Sequence, residues 1–209
     1  ELVNKIIGFN AHMTVKPYEN KIAKEKLDDQ NLKSISETSI FSNSGEGIMI
    51  KKDITKGILL RGYFAKDFSK LDIVNNGNFL GSENKLSNNS ISISKELSFS
   101  LNLEIGDEIT LMSSSGVQTI IGNLPKQKKF TVVSLFDSGV IDFDNNVAFI
   151  NLVTLEDFFN LKPKKRNLEI YLNNPKNIEY KKAIVQKVFD DEFIYTWSDM
   201  NKSLFSALK

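Results

Sequence analysis

The sequence predicts an α+β fold: an α/β layer built from both ends of the chain, with a β-rich subdomain inserted between them. Three observations carry that expectation. The first third alternates strand and helix patterns, the last quarter does so again, and the middle is a series of short apolar-alternating strands divided by Asn-, Gly- and Ser-rich turns. The expected division places residues 1–65 and 151–209 in the terminal layer and residues 66–150 in the insertion.

At the start, residues 12–16 alternate as a strand, and Pro17 ends it. Asn20 is a candidate cap for a helix bearing Ile22, Ala23 and Leu27. Strands follow at 39–41, 47–51 and 57–64, with one turn bracketed by Gly45 and Gly47 and another at 53–57. Residues 75–89 read as loop. Ile91 and Ile93 mark a short strand, after which Ser94 caps a helix over 95–101. Glu104 to Asp107 form a turn into a strand at 108–112, and a second strand runs over 130–136. Residues 137–146 are polar and acidic, and 147–150 are a strand. Thr154 and Asp157 resemble a capping box for a helix with Leu155, Phe158 and Phe159. Leu168, Ile170 and Leu172 alternate as a strand, Asn177 caps a helix bearing Ile184, Val188 and Phe189, and a strand over 193–196 precedes a last helix.

Composition narrows the chemistry. With 209 residues, 41% of them hydrophobic, a sizeable core is available. A net charge of +1 gives no bulk attraction to nucleic acid or anionic lipid. The absence of cysteine excludes disulfides, thiolate metal sites and thiol nucleophiles. One histidine, His12, rules out His-rich metal sites, and its alternating surroundings mark a strand position. There is no GxGxxG or GxxxxGK[ST] motif, and Ser113, Ser114 and Ser115 lack a GxSxG elbow. Asp137, Asp142 and Asp144 lack the bidentate glutamate of a calcium loop, and Asp190, Asp191 and Glu192 read as the end of a helix. Lys162 to Arg166 (KPKKR) read as a solvated face, without the interleaved aromatics that nucleic-acid binding wants. No catalytic residue, cofactor or metal is expected. An enzyme would have to rest on His12 and the acids of 137–144.

No apolar run reaches the roughly 18 residues of a membrane span, and no signal peptide is evident. Glu1, not methionine, opens the chain, so a processed chain or an excised piece is expected. Leu2, Val3, Ile6 and Ile7 share one helical face, as do Met200, Leu204, Phe205 and Leu208 after Ser198. These ends read either as surface helices or as two stalks leading to membrane helices.

Residues 113–129 are the stretch that folding alone does not explain. They read SSSGVQTIIGNLPKQKK, between two strand-like segments. Structureless loops beyond about 12–15 residues are uncommon in compact domains and are usually functional or disordered. Ile120 and Ile121 are apolar where no core is evident. Pro125 stiffens the return, and Lys126, Lys128 and Lys129 form a basic cluster with no acidic residue between Glu108 and Asp137. A projecting hairpin with apolar anchors and a positive root suits capture of a protein partner.

The string LPKQKKFTVVSLFDSGVIDFDNN resembles the periplasmic domain of LolC/LolE-type permeases of the lipoprotein-releasing ABC transporter. The matching features are Pro125, Lys126, Lys128 and Lys129, the strand over 130–136, Ser138-Gly139 and Phe143-Asp144. IIGFNAHMTV, ELSFSLNLEIGDEITLMS and YTWSDMNKSLFSALK resemble further segments of that family, in the same order. The resemblance implies an inner-membrane protein with this segment in the periplasm, folded as a porter-like subdomain from both termini and an inserted sabre-like subdomain. It implies ATP hydrolysis in a separate ATPase subunit, a partner permease subunit, and an acylated lipoprotein as substrate. The hook would dock a LolA-like carrier through Gln118, Thr119, Ile120, Ile121, Gly122, Pro125, Lys126, Lys128 and Lys129. The alternative is a MacB-like or FtsX-like extracellular domain that binds an adaptor or regulator.

Overall fold

The structure is a computed structural model and describes residues 10–82 and 86–200. The chain divides into two compact units: Asn43–Leu161, and the described parts of Ile6–Ser42 with Lys162–Lys209. The boundaries fall at 42/43 and 161/162, not at 65/66 and 150/151 as the sequence pattern places them. The reason is strand pairing. The strands over 54–63 and 147–151 are hydrogen-bonded into the β-rich middle.

In chain order the strands are β1 Met13–Lys16, β2 Ser36–Lys51, β3 Ile54–Tyr63, β4 Leu80–Gly81 and β5 Ser90–Ser94. They continue as β6 Glu108–Thr119, β7 Gly122–Phe136, β8 Val147–Asn151, β9 Asn167–Leu172 and β10 Phe193–Thr196. The main helices are α1 Gln30–Ile35, α2 Lys95–Leu101, α3 Ile141–Asn146, α4 Leu152–Phe158 and α5 Ile178–Val188.

The unit made from both ends is an antiparallel sheet in the order β10-β1-β9-β2, using the first half of β2. Met13, Val15, Leu168, Ile170 and Ile194 pack with Leu32 of α1 and with Val185 and Phe189 at α5. This is the two-layer arrangement that the alternating pattern predicts. The helix expected after Asn20 is instead a 3₁₀ turn, Lys24–Asp28. It is followed by α1, whose N-terminus is capped by Asp29 accepting from the amides of Asn31 and Leu32. His12 sits just before β1. Its Nδ1 accepts from the Leu172 amide at 2.8 Å, and burial holds its pKa below the usual value.

The other unit is a closed ring of six strands. β2 pairs with β3, β3 with β8, β8 with β5, β5 with β7, β7 with β6, and β6 returns to β2. The ring encloses a core of Leu60, Ile91, Ile93, Leu111, Phe130, Val132 and Ile150, and the short β4 pairs with β7 at its side. Leu97 of α2 and Leu155 and Phe158 of α4 join that core. Ser94 caps α2 by accepting from the Leu97 amide at 3.0 Å.

Two turn expectations give way to packing. Gly45 and Gly47 lie inside the uninterrupted β2, not at a turn. A Cβ on Gly45 would stand 2.6 Å from the Phe159 ring, and one on Gly47 3.0 Å from the Met112 carbonyl, so the first makes room for an aromatic side chain and the second for the neighbouring strand. Thr154 does not cap its helix. Asn151 does, accepting from the Val153 amide at 3.0 Å, while the Thr154 hydroxyl is buried and donates to the Asn88 carbonyl. The apolar faces expected for Leu2, Val3, Ile6 and Ile7, and for Leu204, Phe205 and Leu208, lie outside the described residues.

Candidate functional site

Residues 113–119 and 122–129 are ordered as strand, joined by a tight turn at Ile120 and Ile121. β6 and β7 form one long antiparallel hairpin, from Glu108↔Thr131 at the ring to Thr119↔Gly122 at the tip. The pairing of β6 with β2 runs no further than Ser113, so the hairpin continues beyond the ring as a two-stranded arm. At about 3.4 Å per residue, the four pairs from Gly116↔Pro125 to Thr119↔Gly122 reach roughly 10 Å. Between Met112 and Gly116 the register slips, with two more residues on β6 than on β7.

Ile120 and Ile121 occupy the turn. The positive φ that reverses the chain falls on Gly122, at 117°, as in a turn closed by a glycine bulge. Thr119 Oγ1 donates to the Gly122 carbonyl at 2.7 Å and holds the turn shut. Neither isoleucine is demanded by this geometry, since turns favour Gly, Asn and Asp. Both are fully presented to solvent, at 106% and 86% relative exposure. Gln118 pairs with Asn123 and is also exposed.

Two tip residues were not legible as part of the site. Val117 and Leu124 are direct cross-strand partners and both stand exposed. They flank the isoleucines symmetrically, a relation that appears only once the turn is centred on Ile120 and Ile121. Together the four side chains make the arm's end apolar.

The basic root is tied to its own domain. Lys126 Nζ donates to the Asp157 carbonyl at 2.6 Å and to Asn160 Oδ1 at 2.7 Å. Lys128 Nζ stands 5.7 Å from the centre of the Phe130 ring. Lys129 pairs with Glu108 at 3.5 Å, both side chains being largely exposed, which makes a weak bond. Pro125 opposes Gly116 and borders a mostly apolar cleft of about 560 Å³ at the arm's root, lined also by Ile48, Gly57, Leu59, Met112 and Ser113.

Asp137 and Asp144 serve the loop around them. Asp144 accepts from the Ser138 amide and hydroxyl, at 3.2 and 2.6 Å, and burial raises its pKa. Asp137 accepts from the Gly139 amide. Among the described residues no cluster of three or more candidate ligands is suited to a metal, and no helix is long and apolar enough to cross a membrane.

No family model matches the chain. It is 29% identical over 115 residues, 54% of its length, to the lipoprotein-releasing system transmembrane protein LolC of Neisseria meningitidis serogroup B. It is 26% identical over 180 residues, 83% of its length, to an uncharacterized membrane protein of Buchnera aphidicola subsp. Schizaphis graminum. The chain spans 28% and 42% of those proteins respectively. The crystal structure of the periplasmic region of MacB from Actinobacillus actinomycetemcomitans superposes with a TM-score of 0.51 at 12% identity, covering 96% of this chain and 95% of that one. In sequence the chain is thus similar to LolC-type subunits of lipoprotein-releasing systems, and its mixed α/β fold is that of the MacB periplasmic region.

Proposed function

We propose that the chain is the periplasmic domain of a LolC-type ABC-transporter permease, and that its hairpin arm docks a LolA-like periplasmic carrier that receives an acylated lipoprotein. The observation that carries the reading is the pair of isoleucines at the turn, fully exposed where the backbone asks for neither. Hydrophobic side chains held out on a two-stranded arm fit a partner with an apolar cavity. The arm's unpaired edges also offer backbone groups to a partner's sheet. A carrier that shelters acyl chains has such a cavity by chemical necessity. Lys128 and Lys129 lie near the root, where they steer encounter with an acidic rim. ATP hydrolysis and membrane passage belong to other parts of the assembly: an ATPase subunit, a partner permease subunit and the rest of the permease.

The MacB-like fold supports a second reading, in which the same arm binds an adaptor or regulator protein. Capture of purified LolA-like carrier by the immobilised chain tests the first. The wild type is expected to retain the carrier, Ile121→Asp to lose it, and a double Lys128→Glu, Lys129→Glu variant to retain it weakly and with less dependence on salt. Undiminished capture by both variants would overturn the docking assignment.

A further inference from the structure

Lys126 belongs to the basic cluster by sequence, but its geometry gives it a different task. α4 ends beside the root of the arm. Its last turn closes as a Schellman arrangement, with the Leu161 amide donating to the Glu156 carbonyl at 2.8 Å and the Asn160 amide to the Asp157 carbonyl at 3.3 Å. Asn160 takes the left-handed conformation that this closure needs, with φ 54°. Two side chains from the arm's root then reach carbonyls of the helix's last turn. Lys126 of β7 meets Asp157, and the hydroxyl of Ser113 on β6 lies 2.9 Å from the carbonyl of Phe158 and 2.7 Å from that of Ser115. A cation at a helix C-terminus has the favourable sign.

Asn160 joins the two strands. Its Oδ1 accepts from Lys126 on β7, and its Nδ2 points to the Gly116 carbonyl on β6 at 3.5 Å. Both limbs of the hairpin are therefore gripped at one place, the place where the ladder slips between Met112 and Gly116. A two-residue slip is a natural swivel. The grip lies across it.

We propose that Lys126, Asn160 and Ser113 form a latch that fixes the arm's direction against the end of α4, which makes Lys126 a positioning residue and not a partner contact. The latch deepens the docking reading, on which its functional consequence rests. An arm held in one direction loses less freedom on capture, so releasing it weakens binding without altering the apolar tip.

The test uses the whole chain, with two readouts. Hydrogen exchange of amides 116–124, measured without any partner, is expected to quicken in Lys126→Met and in Asn160→Gly, which keeps the left-handed backbone. Amides of β5 and β8 should stay unchanged, and Lys126→Arg should restore protection because a guanidinium also donates to carbonyls. Affinity for LolA-like carrier is expected to fall about threefold to tenfold in each single variant, and no further in the double. Exchange that is unchanged in both variants overturns the latch. So does an affinity loss in Lys126→Met that comes with unchanged exchange of amides 116–124, since that marks direct contact. Carrier that fails to bind even the wild type defeats the docking reading, and the exchange result then decides the latch by itself.

Discussion

Truncating the arm's tip gives the most direct measure of what the isoleucines do. Ile→Ala removes three carbons from a side chain that the free domain leaves in water. If a partner buries those atoms, each buried carbon contributes about 0.8 kcal/mol, so Ile120→Ala or Ile121→Ala weakens binding by up to about 2.4 kcal/mol, roughly 60-fold in Kd. Half burial would leave about eightfold. The double variant sets an upper bound near about 5 kcal/mol, since neighbouring losses seldom add in full. Folding stability should change by no more than about 0.5 kcal/mol, because neither side chain has a place in the core. Titration calorimetry with purified carrier, alongside thermal unfolding of each variant, separates the two effects. A double variant that unfolds like the wild type and binds within about threefold of it would refute the assignment of the tip as the anchor.

Two further outcomes follow from the packing and the charges. Gly45→Ala pushes a methyl to within 2.6–2.7 Å of three Phe159 ring carbons and should destabilise by about 1–3 kcal/mol in urea unfolding; Phe159→Leu in the same chain should recover much of it, while Gly57→Ala, with nothing within 4 Å, stays near neutral. An equal loss with and without the Phe159→Leu change would remove that explanation. Asp199 accepts from Lys182 at 2.8 Å and from the Thr196 amide at 2.9 Å, which hold its pKa down to about 2 from the ordinary 3.8. A depressed folded-state pKa means stability that is present above about 3.8 and lost as pH falls through about 2. Melting temperatures measured from about pH 2 to 5 should therefore fall less steeply on acidification in Asp199→Asn, and identical slopes would discount the bond.

What the sequence makes legible is local. Ser94 as a cap, Gly106 as a turn and the alternation of Leu168, Ile170 and Leu172 each follow from chemistry within a few residues, and each has its place in the structure. What escapes reading depends on distant partners. Gly45 looks like punctuation until Phe159, more than a hundred positions later, is seen to fill its space. The arm looks like loop beyond Met112 because Gly116, Ile120 and Ile121 break strand alternation. Strand there is set by pairing with residues 122–125, and Gly116 is required because a Cβ would run into the Leu124 carbonyl. Lys126 could be recognised as basic but not as engaged, since its acceptors lie on α4 and at Asn160.

The ring of strands has a kinetic side. β6 and β7 meet across a two-residue turn, a microsecond event, whereas Gly47 must find Ser113, 66 positions later, with two parallel pairings also to be made before the circle shuts. Contact order therefore predicts that the finger assembles early and the ring late. A newly made chain displays its greasy tip well before it has an interior, during the interval when stray association is most dangerous. Slow closure thus makes the recognition element a hazard of birth, and tip substitutions should improve refolding yield even as they weaken capture.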